Sequence, residues 1–539
     1  MLSLWVLLAA PIGWLLYQRY VVPRRSPLWL VNGPDPKSWL LGSLGDIFTG
    51  TPGSKPIEFT KRYGGVVCYR GLLHKPGLIV SDPVALRSIL STDVYTYTKP
   101  DSLVRGPLRR IFGSGVLFAE GDDHVRQRRV MSPAFTPSVI HALVPTFFTM
   151  AYQLRTLWHR DIEQHAIDRP GEPFVENVCT PIARLTLDVI GATAFGEDFS
   201  TLHEKSEHPL GKTLASKIAH GATGLLRLAA QVFPALANLL PANAFTKGFA
   251  VIDEESRKVV ERRKQVLLSG ADGEEKKDLL TLLMRSNADT ATKARMSDDE
   301  VRDQIKTVML AGHETTATAL DWTLHRLALH PELQTRLRDE VRAAFAAARA
   351  NDSEDISPTE LNALPVLDAI VREMLRFLPP VAGTIRQCQR DSVLPLSRPY
   401  ALRNGQMVES ITVPKGTAVF IAIASANIDP DVFGADADVF RPERWLDGSV
   451  KPADKLTREI STYSSMLSFI GGARGCIGYR FAILELKALL ATLIDAFAFA
   501  ERDEGGTPIK AVPGITTRPV VAAEPERGPQ LPLRISIAA

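Results

Sequence analysis

The sequence predicts a large, mainly α-helical catalytic body with a minor β component, preceded by an N-terminal apolar anchor. Three observations carry that expectation. Apolar residues recur at helical spacing over roughly 83–93, 121–133, 140–165, 176–195, 249–269, 298–329, 331–349, 359–377 and 478–498. Strand-like runs are short, near Val66–Tyr69, Leu78–Val80, Ile411–Val413 and Ala418–Ile421. No internal repeat or low-complexity linker divides the chain, so its 539 residues are expected to form one body rather than several.

The anchor is residues 1–22. Leu2–Tyr17 read LSLWVLLAAPIGWLLY, and Gln18, Arg19, Arg24 and Arg25 follow. The run is short of the about 20 residues that span a bilayer, unless Tyr20, Val21 and Val22 sit in the interface. Positive charge on its C-terminal side predicts a cytosolic body. A cleaved signal peptide is disfavoured, because no charged n-region precedes the run and no small-residue cleavage site closes it. A Pro/Gly-rich linker, 23–48, contains Asn32-Gly-Pro-Asp-Pro36 and leads into the catalytic domain, 49–539.

Composition excludes some classes. Apolar residues make up 45% and charged residues 23%, ordinary for a chain that buries a large core. A net charge of +3 over this length gives no footprint for nucleic acid. The four cysteines, Cys68, Cys179, Cys388 and Cys476, are far apart and suit a reducing compartment rather than a disulfide framework.

Cys476 carries most of the functional information. It lies in Phe469-Ile-Gly-Gly-Ala-Arg-Gly-Cys-Ile-Gly478, just before a helical pattern in which Phe481, Leu484, Ala488 and Ala491 recur. Free N–H groups and the positive end of the helix dipole favour thiolate over thiol there. Such a thiolate can be a nucleophile or a metal ligand; a buried structural cysteine is the plain alternative. No nearby cysteine or histidine completes zinc spacing. Among metal sites this leaves a single axial thiolate on an iron that something else holds, as in haem.

The run fits F-x-x-G-x-R-x-C-x-G, and on it the chain resembles the cytochrome P450 family, with the family's single helical fold and a look closest to fungal members. The resemblance implies haem b with Cys476 as axial ligand to the iron, and Phe469, Arg474 and Gly478 as parts of the cofactor loop. It extends to Ala311-Gly-His-Glu-Thr-Thr316, whose glycine and threonines are poor helix-interior residues and suggest a locally opened ladder. By likeness, Thr315 would place its hydroxyl above the iron and Glu314 would pass on protons. His313 falls at a variable position and has no assigned role.

Glu373 and Arg376 share a helix face three residues apart, and Arg444 follows in Phe440-Arg-Pro-Glu-Arg-Trp445. The family's pattern implies a buried Glu373–Arg376–Arg444 network that locks the cysteine loop. For the haem propionates it implies Arg474, Arg386 and Arg128, with His124 standing where the family has tryptophan. Arg126 and Arg129 are expected on the solvent face. Val381–Ile385 and Gly514–Thr517 are expected to line the substrate chamber. The apolar stretch 221–240 either caps that chamber and dips into the membrane or forms a core helix pair.

These likenesses span nearly the whole chain and imply a membrane monooxygenase that inserts one oxygen atom of O2 into a lipophilic small molecule. They place it at the endoplasmic reticulum, with electrons from a separate NADPH-cytochrome P450 reductase and cytochrome b5 as an alternative donor. About sixty residues follow Cys476, too few for a flavin domain. The role in view is fungal secondary metabolism, on a terpenoid for instance, or xenobiotic oxidation. Two rivals are a P450-fold isomerase or dehydratase that needs no external electrons, and a non-catalytic haem sensor.

Overall fold

The computed structural model describes residues 25–539 except 101–108, 110–112, 204–207, 211–243, 270–277, 290–294, 451–453, 504, 513 and 515, together with 13–14, 16–17 and 21. The expected anchor thus lies mostly outside the described residues, and the stretch 221–240 lies wholly outside them. Among the described residues no single helix is long and apolar enough to cross a membrane.

Helices of ten residues or more are numbered in chain order: α1 Ser54–Tyr63, α2 Gly121–Met131, α3 Pro137–Asp168, α4 Cys179–Ile190, α5 Ala244–Ser269, α6 Leu279–Asp289, α7 Asp298–Leu329, α8 Pro331–Ala350, α9 Pro365–Phe377 and α10 Tyr479–Ala496. The mainly helical expectation holds. Helices α1 and α6 were not foreseen, and the helix expected from residue 176 starts only at Cys179.

The β component is larger than the sequence suggests. Strands β1 Val66–Arg70, β2 Pro76–Val80, β3 Tyr97–Thr98, β5 Thr384–Cys388 and β8 Ala418–Ile421 form one sheet in the order β1-β2-β8-β5-β3. Only β2 and β8 pair parallel in it. A second sheet runs β4 Val175–Asn177, β12 Pro532–Ile537, β9 Phe497–Glu501. Two hairpins complete the set: β6 Ser392–Ala401 with β7 Met407–Val413, and β10 Ile509–Val512 with β11 Arg518–Val521.

Two long helices organise the core. Helix α7 starts with a capping box, in which Ser297 Oγ accepts from the Glu300 N–H and Glu300 accepts from the Ser297 N–H. It then runs buried on most sides, packed on α4 and α10. Gly312 permits this approach, because a Cβ there would overlap Ile190 Cδ1 of α4. In α10, Leu484, Leu489, Leu490 and Leu493 are each no more than 3% exposed. Each such leucine contributes about 1.5–3 kcal/mol by leaving water. The start of α10 and the middle of α7 are thereby fixed around one cavity.

Candidate active site

That cavity has a volume of about 350 Å³ and brings together Cys476, Phe469, Thr315, Arg386, Arg474 and His124. The thiol-bearing loop forms one part of its wall. The Cys476 N–H donates to the Phe469 carbonyl at 2.8 Å, folding the loop back on itself. Gly472, with φ +67°, passes so close to Leu90 that a Cβ would overlap its carbonyl oxygen. The loop's glycines are therefore needed for its docking. Gly478 meets no such constraint; it caps α10, and its N–H supports the Cys476 thiolate.

Burial reverses one expectation. Desolvation pushes the Cys476 thiol up, and the Gly478 N–H and the Arg128 charge only partly oppose it. The side chain has accessible surface, but that surface opens on the cavity. A thiol so placed ionises against a strong adjoining cation, which a bound metal supplies.

A second part of the wall is cationic. Arg386, 4% exposed, donates to Thr384 Oγ1 at 3.0 Å and to the Ile385 carbonyl at 2.8 Å. Burial and the neighbouring Arg474 push it down to about 10. Arg474 pairs with Glu120 and donates to the Ala119 carbonyl at 2.7 Å, while its Nε is buried without a partner. Lys99, not foreseen from sequence, lies 3.6 Å from the same Glu120 carboxylate. Burial and the charges of Arg474 and Arg386 push its ammonium down to about 7. His124 is pushed down to about 3 by burial and by Arg474, Lys99, Arg128 and Arg386, so it is neutral; its Nδ1 lies 3.0 Å from the Tyr95 hydroxyl.

Arg474 and Lys99 thus share one carboxylate, Arg386 beside them bonds only neutral groups, and a guanidinium nitrogen of Arg474 is orphaned. Such a surplus in a poorly solvated wall suits a ligand bearing two carboxylates, as haem does, beside a thiol facing the same space. Arg128, expected in this cradle, lines the cavity but also donates to the Gly475 carbonyl at 2.6 Å and so braces the cysteine loop.

Thr315 faces the cavity from α7, and its hydroxyl donates to the Ala311 carbonyl at 2.7 Å. Thr316 donates to Glu485 at 2.8 Å, away from Thr315's partner. The helix stays continuous through 311–316, so the expected open ladder is replaced by side chains bonding back to carbonyls of the preceding turn. Glu314 is not on the cavity wall. It accepts from Thr516 Oγ1 at 3.0 Å and pairs with Arg518 at 3.0 Å.

That contact corrects the expectation for Gly514–Thr517. Thr516 turns to Glu314, and Thr517 donates to the Pro380 carbonyl at 3.1 Å; neither lines the cavity. In β5, Val381 just before it, Thr384 and Arg386 reach the cavity, while strand alternation sends Ile385 to the other face. Arg126 also departs from expectation: it bonds Glu300 at 3.1 Å, tying α2 to the start of α7, and Arg129 alone of the two is exposed.

Beside the cysteine loop the structure brings Glu373, Arg376 and Arg444 together, each 0% exposed. Glu373 Oε1 accepts from Arg376 at 2.7 Å and from Arg444 at 3.1 Å, and Oε2 accepts from Trp445 Nε1 at 2.9 Å. Asn427, for which the sequence offers no signal, links this set to the loop. Arg376 donates to its carbonyl at 2.9 Å, and its Oδ1 accepts from the Leu467 N–H at 2.7 Å, two residues before Phe469.

Comparison with known families decides the class. The family described as Cytochrome P450 matches residues 32–521. The chain belongs to the cytochrome P450 family. Cytochrome P450 monooxygenase 205 of Postia placenta is 34% identical, over 99% of this chain and 97% of its own length. Cytochrome P450 monooxygenase 128 of the same fungus is 33% identical over 98% and 97%. Cytochrome P450 monooxygenase claW of Ampulloclitocybe clavipes is 32% identical over 96% and 94%. The chain is thus a cytochrome P450 monooxygenase whose relatives are fungal, in keeping with the likeness drawn from its motifs.

Proposed function

We propose that this P450 binds haem b through Cys476 and hydroxylates a lipophilic small molecule. One juxtaposition carries the reading: a desolvated thiol and an under-neutralised cationic wall open on the same cavity. Arg386, Arg474 and Lys99 would hold the propionates, with the neutral His124 imidazole beside them. When bound, thiolate-ligated haem supplies the oxygen-activating chemistry of the family. The chain's own groups do the rest. Val116, Leu117, Ala311, Val381 and Ile423 give the remaining wall an apolar character that favours a lipophilic substrate and keeps water out. Thr315 presents a hydroxyl to that space, and Glu314, one residue before it, would accept a proton once its bond to Arg518 opens and pass it on.

Electrons come from a separate NADPH-cytochrome P450 reductase, and we place both proteins on the endoplasmic reticulum membrane, this one by its residues 1–22. We further propose a part in secondary metabolism, with a terpenoid as one substrate class and xenobiotics as another. A reduced-CO difference spectrum tests the core of the reading. The wild type is expected to show the long-wavelength band of thiolate-ligated haem, and Cys476→Ala to lack it. An unchanged spectrum in the variant refutes the ligand assignment. Product profiling of a lipophilic panel with reductase and NADPH then separates oxygen insertion from electron-independent turnover, which would mark an isomerase or dehydratase.

A further inference from the structure

Segment 113–117 contributes Val116 and Leu117 to the cavity, and it is held down by side chains that the chemistry above does not use. The Ser114 N–H donates to Asp303 Oδ2 at 2.6 Å, and the Val116 N–H to Gln304 Oε1 at 2.8 Å, both on α7. From α2, Gln127 Nε2 donates to the Ser114 carbonyl at 2.9 Å. Gln304 Nε2 donates to Gln127 Oε1 at 3.0 Å, so the two amides orient each other. Gln127 is 1% and Gln304 0% exposed, so the amide pair is itself shielded from solvent.

Steric fit matches the hydrogen bonds. Gly113 has φ +71°, and a Cβ there would overlap the Asp303 carboxyl group. A Cβ on Gly115 would lie 2.7 Å from Oγ1 of Thr307, itself a cavity residue. The segment therefore lies directly on α7 with its backbone. Lys306 fixes Asp303 at 2.7 Å and reaches Asp253 of α5 at 2.9 Å, which keeps the carboxylate aimed at the loop.

We propose that Gln304, Asp303 and Gln127 are positioning residues for substrate: they bracket segment 113–117 so that Val116 and Leu117 form a fixed wall that limits substrate size. The proposal rests on the cavity beside Cys476 being the substrate chamber. Losing one acceptor leaves a buried N–H unpaired, and the segment then gains by moving outward to find another partner.

The test uses the full-length, haem-loaded protein and two variants that attack the bracket from opposite sides, Gln304→Leu and Gly113→Ala. Amide hydrogen exchange reads the segment, and spectral titration with N-butylimidazole and N-dodecylimidazole reads the chamber. Exchange at 113–117 is expected to rise about tenfold or more, as for a local opening made easier. The ratio of dodecyl to butyl affinity is expected to shift about fivefold toward the longer probe, with the reduced-CO spectrum unchanged. Unchanged exchange in both variants overturns the bracket. Faster exchange with an unchanged affinity ratio overturns its role in substrate size. Should Gln304→Leu fail to fold, Gly113→Ala alone decides. A wild type that binds neither imidazole refutes the chamber reading, while the exchange result still judges the bracket.

Discussion

Arg518 donates to Glu314 Oε1 through both Nε, at 3.1 Å, and Nη2, at 3.0 Å, so the acid of the α7 motif is held by the C-terminal hairpin. Thr516 Oγ1 reaches the same oxygen at 3.0 Å. Glu314 is thus stored as a paired carboxylate one residue from Thr315 rather than standing open to the cavity.

Arg518→Met leaves that carboxylate buried without its cation. The expected loss of stability is about 3 kcal/mol, at the low end for breaking a buried pair because the Arg518 side chain keeps 18% of its exposure. Glu314→Gln in the same chain should recover most of it. Chemical unfolding of the two single variants and the double variant checks this; strict additivity would show that the residues do not act as a pair.

Removing the Glu373 carboxylate should be more severe. It accepts from Arg376, Arg444, Trp445 and the Arg441 N–H, all in a site without solvent. Glu373→Ala leaves the buried Arg376 guanidinium without its carboxylate and Arg444 with Asp436 alone, at a cost of about 3–5 kcal/mol. The protein is expected to purify with a much lower haem content, measured as haem per chain. Arg376→Lys should fare little better, since one ammonium cannot reproduce the bonds Arg376 makes to Glu373, Asn427 and Val439.

Lys99 predicts a pH dependence for haem uptake. In the haem-free chain its ammonium loses its proton as pH rises through about 7. Two propionates placed against it would restore the charged form, so binding takes up a proton above that pH. Ligation by Cys476 releases the thiol proton and favours haem binding as pH rises, whereas the Lys99 step opposes it above about 7 by up to about tenfold per unit. Affinity for haem should therefore rise more steeply with pH in Lys99→Met than in the wild type. Haem titrations of both proteins between neutral and alkaline pH measure it, and equal slopes would remove Lys99 from the propionate site.

Gly312→Ala should destabilise the chain by about 1–3 kcal/mol through overpacking against Ile190. Adding Ile190→Val removes the Cδ1 methyl that a Cβ would meet and should return part of the loss, read by thermal unfolding. No recovery would mean that the glycine serves the helix backbone instead.

Motifs that carry their own chemistry were legible in the sequence. Cys476 was singled out by its glycine-rich motif, whereas the Glu373–Arg376–Arg444 set was legible only through the family resemblance, since spacing alone linked no more than Glu373 and Arg376. What escaped was set by partners far along the chain. Strand β4 pairs with Pro532–Arg534, more than 350 residues away, so local periodicity read it as the start of a helix. Glu314 gains Arg518 over 204 residues, and Thr516 and Thr517 follow that bond away from the chamber. Lys99 and Asn427 are single polar residues without a pattern, and only burial beside the site reveals their use. The thiol went the other way from its local setting because desolvation outweighed one N–H and one distant charge.

Asn427 has a consequence for how the enzyme matures. It fastens the Glu373–Arg376–Arg444 set to Leu467, and the Cys476 N–H closes on Phe469 through the backbone. Every bond in that chain of custody is made by the polypeptide, from α9 to the thiol. Incorporation of the cofactor is therefore expected to depend on Asn427 through the loop backbone, although Asn427 itself lies off the cavity wall.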